Sequence, residues 1–599
     1  MDNNYISAQT AGTLDGLFRE RVRLTPQLTA YKHFDRNQGK WCDTSWYEMG
    51  EMVSRWQAAL KKEDLNEGDR VGLWLNNSRE WVAFEQAALG LGLVVVPFYV
   101  DDRPDNIAYI CNDSGAKVIL MENEKQLKRL EPLLAQLEAV KRFVVLNSKN
   151  QQIETDDERV ILSDDWLPER GDGLRERGGD PHQMATIVYT SGTTGRPKGV
   201  MLSHSNILFV AEAGINAVEV KGKHIFVSFL PISHMLERTG GYVLPMMMAA
   251  TVAYARSIQQ LANDIETIRP TALISVPRIY ERIYERLNCQ LKQKSFIARA
   301  LFKLTTNIGW HRFEYQQNRK MWSPTLLLWP VLHQLVARKI HDKLGGRLQF
   351  AVTGGAALPT DVAKIFLGLG VNLLQGYGLT ETSPVLAVNK PFKNNPKSVG
   401  PALKGIELKV GDNDELLARG PAIMLGYWNN HKATSEMIDN EGWLHTGDKA
   451  CIEDDYVFIT GRIKDIIVMS NGEKIPPVDM ENAIALDPLF DQALIVGEGE
   501  AYLSALVVLN GEEWVTLAKQ LELDAFDKQN LNNKNVHQFL LQRIKLCLKD
   551  FPGYAKIRRV TAILEPWTIE NDLMTPTLKI KRAKVIEKYQ DKINAMYSD

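Results

Sequence analysis

Cysteine is scarce in this chain. Its five residues, Cys42, Cys111, Cys289, Cys451 and Cys547, are spread over 599 positions with no C-x-x-C pair. That spacing excludes a disulfide scaffold or a recognisable zinc knuckle and fits a reducing compartment. A dominant charge sign is missing too. Lys plus Arg total 71 against 73 Asp plus Glu, a formal charge of −2, so the overall balance gives no reason to expect nucleic acid as a partner. Long apolar runs are absent. The most apolar stretches, 240–255 and 323–336, are shorter than the roughly 20 residues that cross a bilayer, and each contains proline. The opening MDNNYISAQTAG has no basic segment followed by an apolar run, so no secretory leader is expected. These absences predict a soluble, cytoplasmic protein, peripheral to the inner face of the membrane at most.

What is present is ordinary globular material, 45% hydrophobic and 24% charged, in a chain too long for one core. Over residues 1–185, short β-rich runs (RVGLWL at 70–75, LVVVPFYV at 93–100, KVILM at 117–121, RFVVLN at 142–147) alternate with helix-length segments. The rhythm returns at 185–190, 271–277 and 348–355. It predicts α/β architecture with parallel layers. Ile279, Ile283, Leu287 and Leu291 recur every four residues, the spacing of an amphipathic helix, and a segment with Trp310, Trp322 and Trp329 follows. Residues 405–460 read as a small β-rich subdomain with glycine turns. A new pattern starts near Lys464, with strand-like runs at 494–497 and 503–510, a helical VHQFLLQRIKLCLKDF and a basic tail. We therefore expect a large N-terminal domain of layered α/β subdomains over 1–463. A small mobile α+β C-terminal domain is expected over 464–599.

Three stretches carry candidate chemistry. The first is YTSGTTGRPKGVMLSH at 189–204, a glycine- and threonine-rich loop after an apolar strand. Its amides, hydroxyls and Lys198 suit phosphate oxygens. It lacks the G-x-x-x-x-G-K-S/T spacing of the common phosphate loop, and Pro197 and Gly199 around Lys198 disfavour a helix there. The second is QGYGLTET at 375–382, where small residues permit close backbone approach, Tyr377 offers a flat face to a purine, and Glu381 suits a divalent cation. Upstream, Gly354-Gly355-Ala356 ends a predicted strand, where open α/β sheets place ligands. The third is WLHTGD at 443–448 with GRIKD at 461–465; Asp448 suits a ribose diol and Arg462 is a nearby donor. Taken singly, each has a plain reading: a surface hairpin, a turn with a satisfied carboxylate, an exposed Asp–Arg pair.

Together and in this order, the motifs resemble the acyl-adenylate-forming (AMP-binding) superfamily over nearly the whole chain, from about Thr13 to Lys588. The GTTGRPKGVMLSH loop, LPISHMLER at 230–238, the extended 278–345 segment and PTLKIKR at 576–582 look most like long-chain fatty acid–CoA ligases. The resemblance implies a two-step reaction. A fatty carboxylate attacks the α-phosphate of ATP, giving acyl-AMP and pyrophosphate, and the thiol of CoA then displaces AMP. It implies ATP, Mg²⁺ and CoA as small-molecule requirements.

By that resemblance, Thr190, Ser191, Gly192, Thr193, Thr194 and Lys198 handle the β- and γ-phosphates. Gly355, Ala356 and Tyr377 border adenine, Thr380 meets the α-phosphate, Glu381 holds the metal, and Asp448 with Arg462 holds the ribose. The flanking Gly195, Gly354, Gln375, Gly376 and Gly378 belong to the same nucleotide-binding set. Lys579 matches the catalytic lysine near the C-terminus, although Leu578 stands where many relatives have glycine. Lys464 occupies the hinge position, where many relatives have aspartate. Gly472 and Lys474 are implied on the CoA side, and His234 at the mouth of the acyl pocket. Two other functions share these motifs: a fatty acyl-AMP ligase that loads a carrier protein, and a non-catalytic lipid-binding or scaffold relative. Retention of Lys198, Glu381, Asp448, Arg462 and Lys579 argues against the second. The 323–336 segment and the basic tail are the candidates for peripheral membrane contact. Oligomeric state has no sequence signal.

Overall fold

A computed structural model describes residues 4–146, 153, 155–176, 178–190, 196–219, 222–549, 551 and 556–598. Two eight-stranded sheets make the body. In the first, Arg70–Trp74, Val94–Pro97, Ala116–Met121, Arg142–Val145 and Val160–Leu162 run parallel. Met184–Thr190 joins in parallel beside Val94–Pro97, and Lys198–Ser203 returns antiparallel to it. Strands covered on both faces need apolar residues throughout, so RVGLW and AKVILM read as near-continuous runs.

The second sheet sets Ile225–Ser228, Thr251–Tyr254, Ala272–Ser275, Phe350–Thr353 and Leu373–Tyr377 parallel. The antiparallel hairpin of Thr29–Asp35 and Lys40–Ser45 extends one edge. The sequence reading contains no counterpart to this hairpin. Only Ala30 and Tyr31 of its first strand are buried, too short an apolar signal to register.

Helices Trp46–Leu60, Arg79–Gly90 and His204–Val218 share one hydrophobic core with residues from both sheets, such as Val71, Leu73, Phe226 and Ile274. Each starts at a serine, Ser45, Ser78 or Ser203, whose hydroxyl accepts an otherwise orphaned backbone N–H. Glu48 and Asn206 reach back to complete capping boxes at Ser45 and Ser203. The four-residue repeat becomes the helix Pro277–Lys292, with Ile279, Ile283 and Leu287 against a second core.

The β-rich segment is an antiparallel sheet of Glu407–Val410, Glu415–Arg419, Leu444–Glu453 and Tyr456–Arg462. Beyond it, Phe490–Val496, Leu503–Leu509 and Ile557–Ile563 form a sheet with a core on each face. Both cores draw only on residues 467–597, among them Trp514 and Leu540 in one and Trp567 and Val585 in the other. No helix of the described residues is long and apolar enough to cross a membrane.

Candidate active site

The site gathers where parallel strands end. Thr190 closes Met184–Thr190 and pairs in register with Lys198, which opens a strand, as the flanking Pro197 and Gly199 favour over a helix. Ser191, Gly192, Thr193, Thr194 and Gly195 lie outside the described residues. The Lys198 Nζ sits 5.0 Å from the centre of the Tyr427 ring. The Tyr427 hydroxyl donates to Glu381 Oε1 at 2.8 Å. Lysine, phenol and carboxylate thus connect the first loop to the second, each holding the next in place. Glu381 Oε2 has no hydrogen bond among the described residues. A carboxylate with one oxygen committed and one open fits Mg²⁺, which takes one or two protein ligands and fills its shell from phosphates and water.

Backbone geometry sets the second loop. At Gly378 a Cβ would lie 2.0 Å from the carbonyl oxygen of Pro384, so only glycine fits. Gly355 has φ +82° and, with Ala356, is exposed at the strand end, whereas Gly354 is buried. Gly376 packs its backbone near Ala387. Thr380 and Glu381 sit on the short helical turn Thr380–Thr382. Gln375 behaves differently from the ligand contact that the resemblance implies. Its side chain donates to the Pro396 carbonyl at 2.7 Å and accepts from the Leu358 amide at 3.2 Å. One end of the amide braces the 354–358 turn and the other the loop at Pro396, so its side chain supports the scaffold of the site.

Asp448 is 3% exposed and receives two donors. The Tyr377 hydroxyl donates to Oδ2 at 2.6 Å and Arg462 Nε to Oδ1 at 2.9 Å. The partnership follows from strand register, since Asp448 and Arg462 are directly paired in the antiparallel ladder. Burial and the Asp448 charge raise the Tyr377 phenol well above its usual range, so it stays a donor.

Lys579 lies on a hairpin from the C-terminal part of the chain. The Thr575 amide donates to the Lys579 carbonyl at 2.8 Å, and the Lys579 amide donates to Thr575 Oγ1 at 3.1 Å. Lys579 keeps an open surface, but protein atoms crowd its ammonium. That desolvation and the Arg462 guanidinium lower its pKa, while Asp448, Glu381 and Asp465 act the other way. The structure therefore brings Lys579, Asp448, Arg462 and Glu381 into one electrostatic neighbourhood, and His234 joins them. Burial and then the Lys579 charge push the His234 imidazole down to about 4, so it is neutral at pH 7. Its Nδ1 accepts from the Leu236 amide at 3.2 Å.

Other expected residues stand apart. Lys464 is exposed on the turn Ile463–Asp465, directly after Arg462. Gly472, at φ +83°, and Lys474 belong to the small hairpin of Ile467–Val468 and Lys474–Ile475. Among the described residues no hydrogen bond or ion pair ties that hairpin to the Lys579 cluster.

Sequence reasoning missed Tyr427, Arg103 and Asp572, and gave Asp465 no role of its own within GRIKD. Arg103 Nη1 lies 3.2 Å from Asp572 Oδ1, whose other cation is Lys581 at 2.6 Å, so this triad holds the lysine hairpin to the body. Tyr427 had a local signal, an aromatic pair after Gly426; Arg103 and Asp572 are 469 positions apart and had none.

The family model described as AMP-binding enzyme matches residues 18–428, and one described as AMP-binding enzyme C-terminal domain matches 464–599. The chain is similar to the long-chain-fatty-acid–CoA ligase ACSBG1 of Homo sapiens, 30% identical with 94% of this chain and 82% of that protein covered. It is also similar to the long-chain-fatty-acid–CoA ligase FadD15 of Mycobacterium bovis, 29% identical with 97% and 96% covered. In fold it resembles the adenylation domain of a carboxylate reductase from Mycobacterium chelonae, with a TM-score of 0.76 and 20% identity, covering 100% of this chain and 94% of that one.

Proposed function

The chain belongs to the AMP-binding enzyme family, and from that premise we propose that it activates a long-chain fatty acid as acyl-AMP and transfers the acyl group to CoA. One observation supports the first step: the Lys579 ammonium feels the charges of Arg462, Asp448 and Glu381 together, and Arg462 is bonded to Asp448, the residue to which we assign the ribose. A carboxylate attacking that phosphorus meets its negative charge, and charge accumulates on the non-bridging oxygens as the bond to pyrophosphate breaks. Lys579 and Thr380 stabilise those oxygens, and preorganised donors of this kind supply much of an enzyme's rate enhancement. Asp448 takes the ribose hydroxyls, Tyr377 covers adenine, and Lys198 draws the β- and γ-phosphates toward Glu381. Mg²⁺ bound at Glu381 would neutralise phosphate charge.

For the second step the C-terminal part rotates about Lys464, withdrawing Lys579 and bringing the Gly472–Lys474 hairpin toward the thioester site. Long-chain acids are favoured because the curated relatives at 28–30% identity are named for them and each buried CH₂ adds about 0.8 kcal/mol of binding. The test is pyrophosphate release with Mg-ATP across a series of fatty acids, followed by thioester formation with CoA or a carrier protein as acceptor. We expect activity to rise from acetate toward chains of roughly 12–18 carbons and CoA to be the acceptor. Preference for acetate would overturn the chain-length reading, and transfer to carrier protein alone would overturn the acceptor.

A further inference from the structure

Large exposed hydrophobic side chains are concentrated in one part of the surface. Of the twenty-four found among the described residues, ten lie between Phe296 and Leu335. Phe296 is 76% exposed, Ile297 77%, Trp322 53% and Leu327 71%, with Leu328 and Val331 also open. A stretch of this size holds far more than its share, and clustered exposed apolar surface marks an interaction site, unlike scattered single residues. These positions share one structural unit. The helix Phe296–Gln316 turns Thr305, Ile308, Gly309 and Phe313 inward, against helix Thr360–Gly368 and the Pro324–Leu332 turns, and leaves its opposite face uncovered. Core packing therefore explains only the inner face.

Charge indicates what covers the outer one. Residues 286–341 contain ten of the chain's 71 basic residues and one of its 73 acidic residues, Glu314, which is paired with Arg319. In a chain with a formal charge of −2, that segment is strongly positive. Lys292, Lys294, Arg299 and Lys303 are exposed and have no ion-pair partner among the described residues. Another protein surface would meet the apolar residues alone as well. A bilayer with anionic headgroups meets both features, with aromatic and aliphatic side chains in the interface and lysines at the phosphates.

We propose that the 292–335 face docks this protein on an anionic lipid surface. The basic C-terminal tail is not part of that face. Lys581, Arg582, Lys584 and Lys588 are each paired with a carboxylate, at Asp572, Glu481, Glu587 and Glu565, and so have little charge left for a membrane.

The experiment is flotation of the full chain with vesicles of phosphatidylglycerol and phosphatidylcholine, against phosphatidylcholine alone. The protein should float with the anionic vesicles and less so at high salt. Trp322→Ser with Leu327→Ser and Leu328→Ser should reduce partition at least tenfold. Lys292→Glu with Lys294→Glu and Arg299→Glu should weaken it roughly fivefold per residue and flatten its salt dependence. Thermal melting of both variants shows whether they remain folded. No flotation of the wild type, or unchanged flotation of both folded variants, would overturn the proposal. So would a wild-type dimer that the serine variant converts to monomer, because the face would then be covered by a second copy. None of these measurements needs turnover, so the result stands apart from the proposed enzymatic reading.

Discussion

Replacing Lys579 by Met keeps the length of the stem and removes the charge. The hairpin should survive, because it is held by backbone bonds between Thr575 and Lys579 and by the Thr575 hydroxyl, none of which uses the lysine side chain. The electrostatic loss is local. One ammonium disappears from a group that otherwise has one guanidinium, Arg462, against Asp448, Glu381 and Asp465. Losing one preorganised donor to a developing oxyanion costs roughly 10²–10³-fold in turnover, or about 2.7–4 kcal/mol. Because Lys579 retains an open surface, water replaces part of what is lost, and the lower end, about a hundredfold, is the expected result. The two half-reactions separate the explanations. ATP-dependent pyrophosphate release should fall by that factor. Conversion of supplied acyl-AMP and CoA to thioester should stay within about threefold, since uninvolved surface substitutions change free energies by only tenths of a kcal/mol. Equal loss in both steps would refute the role given to Lys579, and so would undiminished pyrophosphate release.

Asp448→Ala leaves the Tyr377 hydroxyl and Arg462 without their shared acceptor, and should raise KM for ATP roughly ten- to hundredfold with little change for fatty acid; steady-state kinetics that move both constants together would count against it. Leu578 is 68% exposed with φ +60°, a conformation that strains any side chain, so Leu578→Gly should raise the thermal midpoint by about 1–3 °C, and a lower midpoint would show that the exposed leucine contributes more than its strain costs. Glu237 is 1% exposed, neither of its oxygens has a hydrogen-bond partner among the described residues, and burial raises its pKa from 4.5 to about 8. The folded state thus keeps a proton that the unfolded chain releases, and stability should decline as pH rises from about 4.5 through about 8, by at most ~1.4 kcal/mol per pH unit. Glu237→Gln should flatten that decline in urea melts run across the same range, and an unchanged slope would exclude Glu237 as its source.

The layered α/β body was legible because buried parallel strands must be apolar throughout, and runs such as KVILM at 117–121 and ATIVYT at 185–190 can hardly be anything else. The Asp448–Arg462 pair was legible as two motifs, yet only strand register puts them opposite each other, and register depends on a bulge between Lys449 and Ala450 that no local pattern announces. Gln375 shows the reverse. It lies within a motif rich in ligand-facing residues, and its own side chain is turned to the scaffold by Pro396 and Leu358, partners distant in sequence. Tyr427 was harder to read for a related reason. The aromatic pair after Gly426 is a local signal, but this tyrosine carries no chemistry until its strand sets it between Lys198 and Glu381.

The way the lysine hairpin is attached bears on how the proposed cycle can turn over. Among the described residues its ties to the body include the Arg103–Asp572 pair, at 3.2 Å and about a third exposed on each side, the mutual fields of Lys579, Asp448 and Glu381, and an apolar junction where Pro576 meets Pro97, Tyr99, Ile110 and Tyr189. Exposed ion pairs contribute about 0–1 kcal/mol, so that pair by itself holds the docked arrangement only weakly. On the proposed reading, ATP draws Lys579 inward through phosphate charge, and release of pyrophosphate removes most of that charge in one event. The remaining acyl-AMP carries a single negative charge near Lys579, while the two cores built from residues 467–597 keep the C-terminal part intact as it moves. A tightly packed apolar interface would have held Lys579 over the adenylate and blocked the thiol. With only a small apolar junction beside Pro576, the proposed cycle has the charge lost in the first step release the lysine for the second.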